Sequence, residues 1–480
     1  MPFGASPNLS LQQCLEASVC RISIFPTTTN DHFAMKPLSF VILCSVFFTL
    51  ISFFSLCAQE QPLSLNDAVK YALQHNPTFR NALVEEQISA EKANEAGTRY
   101  YPRLTGTLDG RYNTQLPTSI IPAKAFNERA GDSLIKTQFG TNWNMTAALD
   151  LTQPIIDLSI SAEVNSAKAA QNLASVNTEK AKTDLKLTIA RAYYTVLLNQ
   201  EKLRQAETNL VRNENFYKDV QSKFQNANAL KTDRSKAYLN FSNASLALKK
   251  AQDAVRTSLA NLASQLSWEG NPENIRLSDR LDALFNADTT FTNRSLDGAL
   301  EARADAKAEL AQREANVQNL ARLRNQNLPT LSGYGYLGTQ GLTNDLSKLV
   351  FYPLSYLGVR VSVPLADWFT RTPALQQQAF QLDKSENNLR TIRQTAAYEL
   401  MNTQTTLKNS YSSIRIQKEN VAIAEEVVAT ATSRFKQGQA AQQEVLEAES
   451  TLRDTQLNYL QALYDALVAK LDWEKANGML

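Results

Sequence analysis

Few side chains in this 480-residue chain are equipped for chemistry. All four cysteines, Cys14, Cys20, Cys44 and Cys57, precede residue 58, and of the two histidines only His75 lies beyond it. A thiolate metal site or an imidazole-based acid–base centre needs more than that. No Gly-x-x-x-x-Gly-Lys loop is present to cradle phosphates. The expectation is therefore no enzyme, no metal and no cofactor. Lys plus Arg is 49 against 47 for Asp plus Glu, so there is no broad basic field for nucleic acid either. What remains is chemistry of position, in two short charged segments. Glu444 and Glu447 lie three apart and share one helix face. A shift of 211 residues carries Asp233 to Glu444, and Lys231 and Arg234 flank Asp233. Acids in a first helical turn are favoured by the helix dipole and commonly only cap it.

The elements that position these charges repeat. Ile189, Val196, Leu203, Leu210, Tyr217 and Phe224 recur every seven residues, the spacing of a helix packed as a coiled coil. The same shift reaches Leu400, Leu407, Ile414, Val421, Val428 and Phe435. Return helices follow: Ala237, Phe241, Ala244, Leu248, Ala251, Val255 and Leu262, with a gap at Ser258. Their counterparts are Ala448, Leu452, Thr455, Tyr459, Ala462, Ala466 and Trp473. The chain is thus one long helical hairpin written twice. Residues 157–224 alone make roughly 100 Å of helix, unless short turns break it. Asn226-Ala227-Asn228-Ala229 and Gln437-Gly438-Gln439 turn the two hairpins.

Each half also carries a shorter helix and two strands. The first helix is expected from Leu65 to about Arg99, ended by Tyr101-Pro102. Alternation then puts Leu104, Leu108 and Tyr112 on one face of a strand. After a long loop, Trp143, Met145, Leu149 and Leu151 alternate on another, and Pro154 is expected to open the long helix. In the second half, 295–325 matches the first helix, Thr330 to Gly338 is a strand, and Leu357, Val359, Val361 and Val363 alternate before Pro364. Such strands suit a surface hairpin or a membrane β-barrel, apolar toward lipid and polar toward a lumen.

Before the repeats, Met35-Lys36 followed by an apolar run from Leu38 to Ala58 reads as a secretory signal, cleaved after Ala58 or Gln59. A retained anchor helix and lipidation at Cys57 are the alternatives. The expected divisions are 1–58, an extension and signal; 59–266, the first repeat; 267–295, a connecting segment; and 296–480, the second repeat.

Over roughly residues 63–478 this sequence resembles a TolC-type outer-membrane efflux protein. The resemblance rests on the duplicated order of elements and on Pro102, Pro154, Pro329 and Pro364. Two tip segments add to it: Arg434-Phe435-Lys436-Gln437-Gly438 with Glu444-Val445-Leu446-Glu447-Ala448, and Lys223-Phe224 with Asp233-Arg234-Ser235-Lys236-Ala237. It implies a mainly α fold with membrane β. The duplicated hairpins of three chains would form an α-barrel, and four strands per chain a shared outer-membrane β-barrel. Physics requires partners too: four strands cannot close a barrel, closed barrels need about eight, and lipid tolerates no open edge. Two or three copies satisfy that.

The implied function is a passive exit duct of an efflux or type I secretion system. It would meet a periplasmic adaptor (membrane fusion) protein and an inner-membrane RND or ABC transporter. A periplasmic structural coiled-coil protein without a pore is the alternative. By the same resemblance Glu444, Glu447, Asp233, Lys231 and Arg234 form the periplasmic aperture. Ala227, Asn228, Gly438 and Gln439 meet the adaptor, and Leu149, Leu151, Val359 and Val361 face outer-membrane lipid. Ala440 stands where some relatives carry a gate-closing arginine, and the chain ends at Leu480 without the extension some members add.

Overall fold

The computed structural model describes residues 62–125, 133–285, 291–365 and 367–480; the signal, anchor and lipidation readings fall outside them. The first half runs α1 (Leu65–His75), α2 (Pro77–Thr98), β1 (Arg103–Tyr112), β2 (Thr118–Pro122), β3 (Leu134–Gln138), β4 (Trp143–Ile156), α3 (Leu158–Gln225) and α4 (Lys231–Leu266). A join carries the short α5 (Leu281–Leu284). The second half is α6 (Leu296–Ala302), α7 (Ala304–Asn325), β5 (Thr330–Thr343), β6 (Phe351–Ser362), α8 (Asp367–Lys436) and α9 (Gln442–Ala476).

No turn interrupts the two long helices: α3 has 68 residues and α8 has 70. Their seven-residue seams bury Ile189, Val196, Leu400, Leu407 and Ile414. Each long helix packs along its return helix, α3 on α4 and α8 on α9, and α3 also packs against α2, α7 and α9. Ser258, the gap in the first return helix, is buried, and its hydroxyl donates to the Val255 carbonyl at 3.0 Å. The missing apolar side chain thus leaves no orphan donor.

The helix expected from Leu65 to about Arg99 is two helices. Pro77 disfavours helical backbone at Asn76, which is extended. The Asn76 side chain then caps the new helix, accepting from the N–H groups of Thr78 at 2.9 Å and Phe79 at 3.2 Å. The second half breaks at a corresponding place with no proline, at an extended Arg303. Arg303 is buried and bidentate to Asp305, with its remaining arm 2.6 Å from Glu399 of α8.

One antiparallel sheet has the order β1-β4-β5-β6. Pro154 lies in β4 rather than at the start of the long helix. It sits where the β4–β5 register shifts, between Pro154 and Ile156, a bulge that tolerates a missing N–H. Asp157 caps α3 instead, accepting from the Ser159 N–H at 2.9 Å. The expected loop between β1 and β4 also holds a ribbon, β2 paired with β3 from Thr118–Gln138 to Pro122–Leu134.

Near the join, Leu63 pairs with Leu277 in a parallel bridge. The buried Tyr193 hydroxyl lies 2.9 Å from the Leu63 carbonyl and 2.8 Å from the Asp279 carboxylate. Burial, with Asp279 beside it, keeps that phenol protonated far above its ordinary range. The main apolar core gathers here, around Ile189, Val196, Leu262, Leu266, Leu281 and Leu463.

Candidate functional site

Both hairpins reverse through the same backbone motif. In the first, the N–H groups of Ala227 and Asn228 donate to the carbonyls of Phe224 at 3.0 Å and Lys223 at 2.7 Å. In the second, Gly438 and Gln439 donate to Phe435 at 3.1 Å and Arg434 at 2.8 Å. The second residue beyond the helix takes a left-handed conformation in each, φ 59° at Ala227 and φ 75° at Gly438.

Around these turns the predicted charges have definite partners. Asp233 accepts from the Leu230 N–H at 3.2 Å, closing one orphan donor at the start of α4. The Arg234 guanidinium lies over the Phe224 ring at 4.8 Å, and Lys231 is exposed. Glu444 pairs with Arg434 at 2.9 Å, and Glu447 accepts from the Gln443 amide at 3.0 Å. Both acids line one groove of about 560 Å³ between α8 and α9, with Ile423 and Val427 on its other wall. Within this chain the cation on the acidic tip is therefore Arg434, not Lys231 or Arg234. Arg434 stands in the tip segment, but only the reversal at Gly438 brings it back onto a residue ten positions later.

Two contacts tie the tips together. Lys223 sits 3.9 Å over the Phe435 ring and donates to its carbonyl at 3.4 Å. The Gln442 amide, buried, donates to the Asp233 carbonyl at 2.9 Å. Cation–π contacts at exposed sites contribute about 0.5–1 kcal/mol each, so this link is soft.

At the opposite end of the long helices, register sorts the sheet into two faces. Leu104, Leu151, Gly335 and Leu357 form one cross-strand row, and Leu331 faces Val361. Leu149, Leu151, Val359 and Val361 thus share a single face and are 46%, 41%, 66% and 66% exposed. The other face carries Arg103, Asp150, Tyr334, Tyr336, Tyr356 and Arg360. Tyr336 and Tyr356 stack at 4.9 Å, and Arg360 lies 4.9 Å over Tyr334. Gly358 makes room there, since a Cβ would lie 2.6 Å from the Tyr334 ring. Tyr112 and Trp143 pair at the loop end of β1 and β4, ring centroids 4.8 Å apart. Among the described residues, no group of three or more His, Cys, Asp or Glu is placed to hold a metal ion, and no helix is long and apolar enough to cross a membrane.

Comparison with known proteins fits this architecture. The family model "Outer membrane efflux protein" matches residues 68–267 and 296–478. The proteases secretion protein PrtF of Dickeya chrysanthemi is 22% identical over 425 residues, covering 88% of this chain and 89% of the relative. Among solved structures, the outer membrane protein VceC from Vibrio cholerae superposes with a TM-score of 0.69 at 19% identity, over 86% of this chain and 96% of that one. The MtrE outer membrane channel of Neisseria gonorrhoeae, in its open state, gives 0.70 at 16% identity, over 86% and 88%.

Proposed function

Because the chain belongs to the outer membrane efflux protein family, matched over both of its repeats, we propose that it works as a homotrimeric exit duct. The protein is an outer-membrane channel whose helical part lies in the periplasm. The duct is passive, so an inner-membrane RND or ABC transporter supplies the energy and a periplasmic adaptor joins the two. The matched segments support reading 59–266 and 296–480 as the repeats and 267–295 as their connection.

The observation that carries closure between copies is the four-stranded sheet, with one apolar face and its edges at β1 and β6. Leu108 is 90% exposed and Leu357 88%, a surface unsuited to water. Lipid accepts the face but not the edges. The helical part is open in the same sense. Phe380, Tyr398, Ile416 and Ile423 of α8 share one face at 3.6 residues per turn and are all exposed. On the opposite flank, Leu83 and Ile88 of α2 and Leu239 and Leu246 of α4 are exposed as well. Head-to-tail copies bury each flank against the other and close both barrels at once. A pore-free coiled-coil protein leaves the sheet face unexplained.

In this reading Leu149, Leu151, Val359 and Val361 meet lipid. Glu444, Glu447 and Asp233 ring the periplasmic entrance with Lys231 and Arg234, and Ala227, Asn228, Gly438 and Gln439 meet the adaptor. Rings of acid favour cations. Mass measurement in mild detergent should give three chains, and planar bilayers should show a cation-preferring conductance that falls in preference when Glu444 and Glu447 become Gln. A stable monomer that keeps its β signal would end the proposal.

A further inference from the structure

The four strands of the main sheet carry five charged side chains, Arg103, Asp109, Arg111, Asp150 and Arg360. Register puts all five on the face opposite Leu104, Leu151 and Leu357. They divide along the strands. Asp109 and Arg111 stand near the loop end of β1. Arg103 opens β1 and Arg360 lies two residues before the end of β6, so both stand at the end next to the helices, with Asp150 slightly further in. Both arginines are exposed and Asp150 is half-buried. Among the described residues neither arginine pairs with a carboxylate. β1 and β6 are the edges of the sheet. When copies close a barrel, the β6 edge of one meets the β1 edge of the next, and the two guanidiniums flank that seam.

Beside these arginines three tyrosines form one cluster. Tyr336 and Tyr356 stack with planes 3° apart, and Tyr334 meets Tyr356 edge-on at 6.1 Å. The Arg360 guanidinium covers the Tyr334 ring. Two glycines seat the rings. Gly358 lies opposite Tyr334, in the space that ring needs, and a Cβ on Gly338 would come within 2.9 Å of the Tyr336 ring. Each ring therefore leans over bare backbone and stays close to the sheet. Thr105, Thr152 and Ser332 occupy the adjoining positions of this face. The rings thus form an isolated aromatic patch on a polar wall, with a cation lying on it.

We propose that this belt binds small aromatic anions, molecules that join a planar ring to a carboxylate, as they leave the duct. The inference rests on the trimeric duct proposed above, in which this face lines the lumen and three copies repeat the belt at one height. A guanidinium takes a carboxylate in a two-pronged pair. Tyrosine faces and edges take the ring. Arg360 offers both, because a planar guanidinium that rests on one ring can stack a second on its other side. Rings of arginine favour anions. The duct then carries opposite charge at its two ends, acids at the tips and arginines where the barrel begins. An anion that the pump has driven past the acids meets a potential that favours going on, and the acids oppose its return.

Block of the whole channel in planar bilayers tests this. The probe is 2-naphthoate, added on the barrel side so that the acidic tips are not in its path. It should lower conductance at concentrations where acetate, a carboxylate without the ring, and 2-naphthalenemethanol, the ring without the charge, do not. Arg360→Gln should raise the half-blocking concentration by about tenfold, and Tyr336→Ser with Tyr356→Ser by about threefold or more. Substitutions on the lumen face alter selectivity more than stability, so both variants should still insert. Arg111→Gln, on the same face but at the loop end, should leave the half-blocking concentration within about twofold. Three results overturn the inference in a channel of three-chain mass: no block by naphthoate, equal block by acetate, or block that survives both the Arg360 and the tyrosine variants. A one-chain mass would instead overturn the trimer itself.

Discussion

The two halves of this chain solve the same problem, ending a short helix and starting another at a bend, with different chemistry. The first half uses Asn76-Pro77. Proline makes the bend local, and the asparagine caps the following helix while its amide reaches the Gln265 carbonyl at 2.9 Å. The second half has no proline, and nothing local forces Arg303 out of the helix. The bend is held by a buried guanidinium that reaches locally to Asp305 and across to Glu399 of α8. A backbone restraint acts in the unfolded chain as well, whereas the ion triad, of which only the guanidinium is buried, is complete only once α8 is in place. The first bend is therefore written in two adjacent residues and the second in three residues spread over nearly a hundred positions.

That difference predicts unequal damage. Arg303→Ala leaves Asp305 and Glu399 facing a hole where a bidentate partner stood. The guanidinium is buried but the carboxylates are 34% and 39% exposed, so water takes up part of what is lost and the cost should be about 2–3 kcal/mol, the largest single effect expected in the periplasmic part. The urea midpoint of the detergent-solubilised protein should drop accordingly, and an unchanged midpoint would mean the bend holds itself. Acid should act on the same place. Burial pushes the Asp305 carboxyl up, but the hydrogen bond and charge of Arg303 outweigh it and leave it below the usual carboxylate range. A depressed carboxylate contributes stability that is present above its unfolded pKa and lost as pH falls through the folded one. Hydrogen exchange at α6 and α7 should thus rise in acid before exchange at α1 and α2, whose bend has no titrating cap. Equal onset at the two bends would contradict the comparison.

Asn76→Ala should be milder. It removes an N-cap and one long-range hydrogen bond, about 1–2 kcal/mol, while Pro77 keeps the bend. Circular dichroism melts should show the loss without a change in helix content. If Asn76→Ala costs as much as Arg303→Ala, proline is not carrying the first bend.

These contrasts also explain what could be read in advance. The duplicated heptads, the long helical hairpins, the two tips and the apolar strand face all follow from periodicity, which is local and repeats; that no turn breaks the long helices does not. The bend at Asn76-Pro77 has a local signal, but the apolar spacing of Leu65, Ala68, Val69 and Ala72 runs straight into it and hides it, so a single helix is expected there and two are found. Pro154 misled because a proline suits both a helix start and a strand bulge, and only pairing with β5 distinguishes them. Arg303–Glu399 and Arg434–Glu444 were not legible. Each joins residues whose neighbours look like ordinary solvated helix, and only the packed fold brings them together.

The smallest effects should appear at the tips, where the same motif is built from different residues. The left-handed position after the helix is Ala227 in the first tip and Gly438 in the second. The carbonyl of an L-residue crowds its own Cβ in that conformation, at about 1–2 kcal/mol, and glycine escapes this at some entropic cost. Nothing lies within 4 Å of where a Cβ on Gly438 would stand, so sterics with neighbours do not intrude and the backbone alone decides. Gly438→Ala should therefore destabilise its tip by about 1 kcal/mol, and Ala227→Gly should stabilise the other by somewhat less. Hydrogen exchange of Gln439 and Asn228, whose N–H groups close the two turns, reads each tip separately. Exchange should quicken at Gln439 in the first variant and slow at Asn228 in the second. Asn228 is the sharper measurement, because loosening there in Ala227→Gly would show that the alanine is held by the fold rather than tolerated by it.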